Sequence, residues 1–418
     1  MSNKHLSTEH YKGVRDFYPE NQFVQEYIFE TMKTACERFG YESYNASILE
    51  PSELYRGKTS EEIVNEQTYT FTDRGQREVT LRPEMTPTIA RMVASKRREL
   101  VFPLRWYTIA NVFRYERPQR GRLREHWQLN ADIFGVEGVE AETEIIALAH
   151  QTMFDLGATE HDFEIRINDR HLLKEVFNTC DLADDEERAV MRLLDKRNEM
   201  DDFDEKLAEA IGGERANKFK GGLSSVASST HLEELLSLLY KLGITNAHID
   251  TSIVRGFDYY TGMVFEVFDT APENNRSLFG GGRYDNLLSM FDEEATPAVG
   301  FGMGDVTAHD FLEAHGLLPR YVPATELMLC VVEKEHIAHA MKLAQDLRRD
   351  DVAVAVNFSG KRIGEQVKQA DKLGIPFIVA VGDKERESGQ YTLKHLPTGN
   401  EFILPAENIA NHMLSALG

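Results

Sequence analysis

The sequence predicts an α+β domain built on an antiparallel sheet, carrying a helical insertion and followed by a separate C-terminal α/β domain. Three observations predict it. Two apolar, β-compatible runs, Trp106–Phe113 and His126–Phe134, flank a loop with Pro118 and Gly121, the pattern of a long hairpin. Residues from about 170 to 240 are rich in Asp, Glu, Lys and Leu at helical spacing. Beyond Gly316–Thr325, a segment with Pro319 and Pro323, strands and helices alternate, which implies a mostly parallel sheet covered on both faces. The expected division is therefore 1–320 with its insertion, a linker at 321–325, and 326–418.

Composition narrows the class. The chain has 418 residues, enough for two or three domains, and a formal net charge of −22. No apolar run approaches the roughly 18 residues of a membrane span, and the polar start MSNKHLSTEHYKG lacks a signal-peptide core. No membrane partner is expected. Cys36, Cys180 and Cys330 are far apart without metal-ligand spacing, which suits a reducing cytoplasm and argues against a disulfide framework or a zinc site. The net acidity argues against non-specific nucleic-acid binding and against DNA. A local basic surface can still hold RNA, because salt limits the reach of distant charge to about 8 Å.

In chain order, Phe23, Val24, Tyr27, Ile28, Met32, Ala35, Cys36 and Phe39 fall on one helical face, and Gly40 fits the stop. Tyr41–Leu49 then reads as a strand. Residues 68–82 read as a hairpin turning at Asp73–Gly75. They lead to Pro83, a good helix start, with Glu84 and Thr86 in the first turn. The 106–134 hairpin has five arginines and one glutamate between Arg114 and Arg124, a tip that fits either a solvated loop or a polyanion contact. Glu142–Leu156 reads as a helix and Phe163–Ile167 as a strand. In the insertion, Gly212-Gly213 and Gly221-Gly222 are expected to interrupt helices. Arg255 has apolar neighbours and needs an anionic partner if buried. The alternating strand Met263–Phe268 and the glycine triplet 280–282 follow. The last domain reads as strand Leu327–Val332, helix His336–Arg349, strand Val352–Phe358, helix Gly360–Leu373 and strand Phe377–Val381. Ile337, Ala340, Met341, Ala344 and Leu347 form the apolar face of its first helix.

The run from Phe113 to Arg122, Phe-Arg-x-Glu-Arg-Pro-Gln-x-Gly-Arg, with Gln128 and Asp132 beyond it, resembles motif 2 of class II aminoacyl-tRNA synthetases as histidyl-tRNA synthetases carry it. Arg255-Gly256-Phe257-Asp258-Tyr259-Tyr260 and Phe279-Gly280-Gly281-Gly282-Arg283-Tyr284 resemble that family's two histidine signatures. The resemblance runs from Tyr11 almost to the end. It implies a class II catalytic domain and an anticodon-binding domain, with L-histidine, ATP and tRNA(His) as substrates and Mg²⁺ as the companion of ATP. By that resemblance Arg255 and Arg114 bracket the α-phosphate and act in catalysis. Glu84, Thr86 and Gln128 hold the amino group. Asp132, Tyr260 and Tyr284 read the imidazole, with Tyr259 beside them. Glu116 lies on the ATP side, and Arg122 holds the distal phosphates. Arg117, Gln119 and Arg120 face the tRNA acceptor end. No protein side chain is assigned to a metal. The segment Phe23–Leu49 resembles motif 1, which implies a homodimer. The insertion is either a cover for the acceptor stem or a helical spacer.

Two departures stand out. Asp132 is a glutamate in many relatives, and Asp305-Val306 stands where motif 3 has Glu-Arg, so a nucleotide-contacting arginine is missing. Arg283 is the first candidate to replace it. The alternative reading is a regulatory subunit of ATP phosphoribosyltransferase, but such paralogues usually lack the C-terminal domain and erode the substrate signatures. A kinase-fused sensor would need a kinase signature, which this chain lacks.

Overall fold

The computed structural model describes residues 6–56, 67–119, 121–195, 197, 200–225, 228–253, 259–272, 274 and 277–417. Arg120 and Arg255 lie outside them. The chain divides into two compact units, Met1–Pro319 and Arg320–Gly418.

The first unit is organised by an eight-stranded sheet. Its strands are β1 (Glu42–Ser43), β5 (Leu104–Phe113), β6 (Glu125–Phe134), β7 (Phe163–Asp169), β8 (Ala247–Ile249), β9 (Met263–Asp269), β10 (Ser277–Arg283) and β11 (Ala298–Gly304), in the order β1-β5-β6-β11-β10-β9-β7-β8. The six central strands pair antiparallel, and only the edge pairs β1·β5 and β7·β8 are parallel. A smaller sheet joins β2 (Leu49–Pro51), β4 (Glu78–Leu81) and β3 (Tyr69–Thr72).

The two-residue alternation of β-strands separates the two faces of the large sheet. Leu129, Ala131 and Ile133 of β6 with Val299, Phe301 and Met303 of β11 form the face packed by helices Pro19–Arg38, Val139–Asp155 and Asp305–Ala314. Burying each large side chain there is worth about 1.5–3 kcal/mol. The other face carries Gln128, Asn130 and Asp132. It is partly covered by helix Thr86–Ser95, whose Ile89, Ala90 and Val93 join Tyr259, Tyr260 and Tyr284 in a second cluster.

The structure corrects several expectations. Helix Pro19–Arg38 also buries Gln25, which hydrogen bonds Asp305. The run Tyr41–Leu49 is not one strand: β1 and β2 belong to different sheets, so the chain turns between them. The helix after β4 starts at Thr86, with Pro87 in its first turn, so Pro83 and Glu84 precede it. Gly221-Gly222 does not break a helix but lies inside Gly213–Ser225, where a Cβ on Gly222 would come 2.9 Å from Val176 Cγ1. Four insertion helices, Arg170–Thr179, Asp184–Asp195, Phe203–Ile211 and Gly213–Ser225, share a core around Phe177 and Phe219. The fifth, Thr230–Lys241, leaves that module and packs Leu232, Leu235 and Leu239 into the main core.

In the second unit, β12 (Leu327–Val331) lies parallel between β13 (Val354–Asn357) and β14 (Phe377–Val381). An antiparallel hairpin, β15 (Gln390–His395) and β16 (Glu401–Pro405), extends the sheet beyond β14. Alternate residues of β12 enter two cores, Leu327 and Leu329 on one side, Met328 and Cys330 on the other, so both faces are covered. Leu343 rather than Met341 completes the inner face of helix Ile337–Arg349, and Met341 is exposed. Each unit thus owns its cores, and residues 1–319 and 320–418 produced separately should each unfold cooperatively. Calorimetry showing no transition in residues 320–418 alone would contradict this.

Candidate active site

The site is built on the free face of β6. Tyr284, just after β10, donates its hydroxyl hydrogen to Asp132 Oδ1, and both side chains are fully buried. Asp132 Oδ2 has no hydrogen-bond partner among the described residues. Burial pushes the Asp132 carboxyl up to about 7, and the Tyr284 hydrogen bond opposes the rise only in part. The same burial, with the carboxylate beside it, holds the Tyr284 phenol well above its usual range. A buried acceptor atom left unpaired is costly unless a ligand pairs it.

Two glycines make room for this row. A Cβ on Gly300 would lie 2.1 Å from Asp132 Oδ1, and one on Gly302 2.5 Å from Gln128 Nε2. Their register opposite Asp132 and Asn130 explains it: Gly300 pairs with Asp132 and Gly302 with Asn130 across β11 and β6. The polar side chains of β6 lean over a neighbour that has no side chain.

Glu84 closes one wall. It is buried, and Tyr259 Oη donates to its Oε2 at 3.2 Å. The turn that carries it is pinned by Arg82, whose guanidinium donates to Asn111 O at 2.8 Å and Ala46 O at 2.8 Å. Thr86 is buried one turn on. Gln128 Nε2 donates to Asn130 Oδ1 at 2.9 Å. The Tyr259 ring stands 4.8 Å from that of Tyr260 and 5.8 Å from that of Tyr284. Glu84, Gln128, Asp132, Tyr259, Tyr260 and Tyr284 therefore meet on one face of the sheet, with Thr86 buried at the start of the helix that covers it.

The basic residues sort by depth. Arg114 is largely buried; its Nε donates to Pro83 O at 2.9 Å, and Nη1 lies 3.9 Å from Glu116 Oε1. Arg117, Gln119 and Arg122 are exposed on the hairpin tip, where Gln119 and Arg122 exchange two backbone hydrogen bonds of 3.0 Å. Arg124 is a clamp for the N-terminal arm, stacked 4.1 Å over Tyr115 and donating to Tyr11 Oη at 3.0 Å.

Arg283 is a correction. It points from β10 to the helix-covered face, where its Nε donates to buried Glu142 Oε1 at 2.6 Å and its other nitrogens donate to Val136 O and Gly138 O at 3.1 Å each. It does not face the pocket and is not a replacement for the absent motif 3 arginine. Asp305, in motif 3, is likewise structural: it accepts from Arg15 Nη2 at 2.7 Å, Trp127 N at 2.9 Å and Gln25 Nε2 at 3.4 Å.

The sequence reading missed His126 and Asn130, which the alternation of β6 places in phase with Gln128 and Asp132. Burial, then the charges of Arg114 and Arg15, push the His126 imidazole down to about 3, so it is neutral at physiological pH.

Comparison with known proteins gives the family. A family model described as histidyl-tRNA synthetase matches residues 13–305. The chain belongs to the histidyl-tRNA synthetase family. An anticodon-binding-domain model matches residues 326–415. Among family members, a Leptospira biflexa protein named histidine–tRNA ligase is 41% identical over 420 residues, covering 96% of each chain. One of the same name from Thermoplasma volcanium is 36% identical over 96% of each. The crystal structure of histidyl-tRNA synthetase from Nostoc sp. PCC 7120 superposes with a TM-score of 0.80 at 22% identity, covering 99% of this chain and 100% of that one, which speaks for the fold. A Bacillus halodurans structure described as an ATP phosphoribosyltransferase regulatory subunit/histidyl-tRNA synthetase shares the fold at a TM-score of 0.69 and 24% identity, covering 90% of this chain and 99% of that one.

The Asp132 carboxyl has a sign that can be checked. Its folded pKa lies above the usual 3.8, so between about pH 4 and about pH 7 the native state holds a proton that the unfolded chain lacks. Stability falls as pH rises through that window, by on the order of 4 kcal/mol in all. Asp132→Asn removes the group. The Tm of the variant relative to the parent should climb from about pH 4 to about pH 7 and level off above it. A Tm difference independent of pH would contradict this environment for Asp132.

Proposed function

We propose that this chain is a histidine–tRNA ligase whose histidine pocket is the cluster around Asp132 and whose ATP site lies toward Arg114. The observation that carries the assignment is the buried Asp132 Oδ2, unpaired among the described residues, in the same tyrosine cluster as Tyr259, which donates to the Glu84 carboxylate. A pocket with one acid for a cationic amine and another for a ring N–H fits histidine, and buried hydrogen bonds of this kind reject apolar analogues by about 10⁴ or more.

Two steps follow. A carboxylate oxygen of histidine attacks the α-phosphorus of ATP, the bond to the bridging oxygen breaks, and pyrophosphate leaves with that electron pair. A hydroxyl of the terminal ribose of tRNA then attacks the histidyl carbonyl, gives up its proton, and AMP leaves. The first step brings two anions together, so it needs fixed positive charge and alignment. We assign that charge to Arg114 and Arg255, with the exposed Arg122 for the distal phosphates. Mg²⁺ bound with ATP would screen the phosphate charge, and Glu116, a largely buried carboxylate beside Arg114, is the acid nearest that arginine among the assigned residues.

Arg117, Gln119 and Arg120 are assigned to the acceptor end of tRNA, and residues 326–415 to its anticodon. A homodimer through Phe23–Leu49 fits the exposure of Ile48 and Leu49, with Phe71 also exposed in the same small sheet as Leu49, and sedimentation at micromolar concentration decides it. We place the protein in the cytoplasm; no helix among the described residues is long and apolar enough to cross a membrane. The regulatory-subunit reading is the weaker one, because relatives matched over nearly their full length carry the ligase name.

The test is pyrophosphate exchange into ATP with each amino acid in turn. Exchange should require histidine, and Arg114→Ala and Arg255→Ala should each lower it by about a hundredfold or more with the fold retained. Arg283→Ala should act differently, lowering Tm because Glu142 Oε1 loses its partner while Oε2 keeps only His231, a loss of up to about 3–5 kcal/mol. Residues 1–319 alone should keep exchange and lose most tRNA charging. Near-normal exchange in a folded Arg255→Ala variant would sink the assignment.

A further inference from the structure

The end of β10 carries a buried charge cluster on the face away from the pocket. Glu142, in the first turn of helix Val139–Asp155, is fully buried. Both of its oxygens are occupied: Arg283 Nε donates to Oε1 at 2.6 Å, and His231 Nε2 donates to Oε2 at 2.5 Å. His231 lies in the first turn of helix Thr230–Lys241, where the insertion rejoins the main core. The other Arg283 nitrogens donate to Val136 O, Gly138 O and Asp285 Oδ1.

The pocket side hangs on the same point. β10 ends at Arg283, so Tyr284 is the first residue beyond the strand. Its aim at Asp132 depends on what fixes that end. The Arg283 carbonyl accepts from Thr261 N at 2.8 Å, directly after Tyr260. Asp285 closes the link: its N–H donates to Thr261 Oγ1 at 3.1 Å, and its Oδ1 accepts from Ala298 N at 3.1 Å. Tyr284 N donates to Ala298 O at 2.8 Å. Tyr260 rests on β10 itself, where a Cβ on Gly282 would come 2.9 Å from Tyr260 Cδ1. Arg283 is thus joined to both tyrosines through short stretches of backbone, while its guanidinium is held from the other face.

A buried ion pair is weak evidence for stability, because apolar residues of matched volume often serve as well or better. What a bonded guanidinium adds is direction: a rigid planar fork held by a carboxylate and two carbonyls has one orientation. We infer that Glu142 is a positioning residue for the histidine pocket. It fixes Arg283, and through the end of β10 it sets where the Tyr284 hydroxyl and the Tyr260 ring stand. His231 holds the second oxygen and so ties the last insertion helix to the same point. The Glu142 carboxylate lies across the sheet from the pocket and acts only through Arg283. The inference rests on the reading of Asp132, Tyr260 and Tyr284 as the imidazole subsite.

Glu142→Gln keeps the shape and weakens the hold on Arg283 to a neutral hydrogen bond. Glu142→Leu combined with Arg283→Met replaces the pair by apolar groups, which should preserve the fold. Both are assayed by pyrophosphate exchange at a temperature where every variant is folded. The histidine KM should rise about threefold to tenfold in the first and about tenfold or more in the second, with the ATP KM and kcat little changed. Asp132→Asn is run alongside and should also raise the histidine KM. A lower Tm with an unchanged histidine KM in both Glu142 variants shows a purely structural cluster and overturns the inference. Histidine and ATP KM values that rise together show general loosening and overturn it as well. A histidine KM raised in Asp132→Asn alone overturns the role of Glu142 and leaves the pocket intact. An unchanged histidine KM in Asp132→Asn overturns the pocket assignment and the inference with it.

Discussion

The hydrogen bond from Tyr284 to Asp132 is the interaction on which the rest of the site depends. It fixes one carboxyl oxygen and so aims the other into the pocket. An isolated carboxylate in such a place would be expelled or protonated, and burial does lift this one to about 7. The fold tolerates the cost because the site is assembled from strands whose opposite face is packed by three helices. Stability is made on one side of the sheet and given up, locally, on the other.

The same division explains the arginines. The sequence offers Arg283 as the first candidate to replace the missing motif 3 arginine. The strand period turns adjacent residues to opposite faces, and Arg283 meets Glu142 on the helix side, with His231 Nε2 2.5 Å from the second Glu142 oxygen. Asp305 is also structural. It stands at the acidic position of motif 3, with Val306 in the place of the arginine, and it gathers the N-terminal arm, helix Pro19–Arg38 and β6 at one point. The Arg15 guanidinium that it holds acts by its charge on His126.

Much of this was legible in the residues. The β5–β6 hairpin, the helical insertion and the parallel core of the last unit follow from period and punctuation, because each is a local pattern repeated over many residues. Motif spacing led to Glu84, Gln128, Asp132 and the tyrosines, which the structure gathers on one face. What was hidden is non-local. Tyr44 sits in a run that reads as one strand, and only the tertiary packing shows that its side chain joins the cluster of Tyr259, Tyr260 and Tyr284. The β15–β16 hairpin was missed because the segment after Val381 is polar and lacks a strong alternation. The face chosen by Arg283 is set by its partner on a helix more than a hundred residues away, which no local pattern announces.

The central claim is that Asp132 Oδ2 accepts a ring N–H of bound histidine. The most direct measurement is the ¹⁵N spectrum of ring-labelled histidine in the saturated complex at a pH above 7, where the free amino acid averages between tautomers. The account predicts two separate, fixed ring resonances, at least one of an N–H in a strong hydrogen bond, and their collapse or loss with Asp132→Asn. Ring shifts in the saturated parent complex that stay averaged like those of free histidine would contradict it.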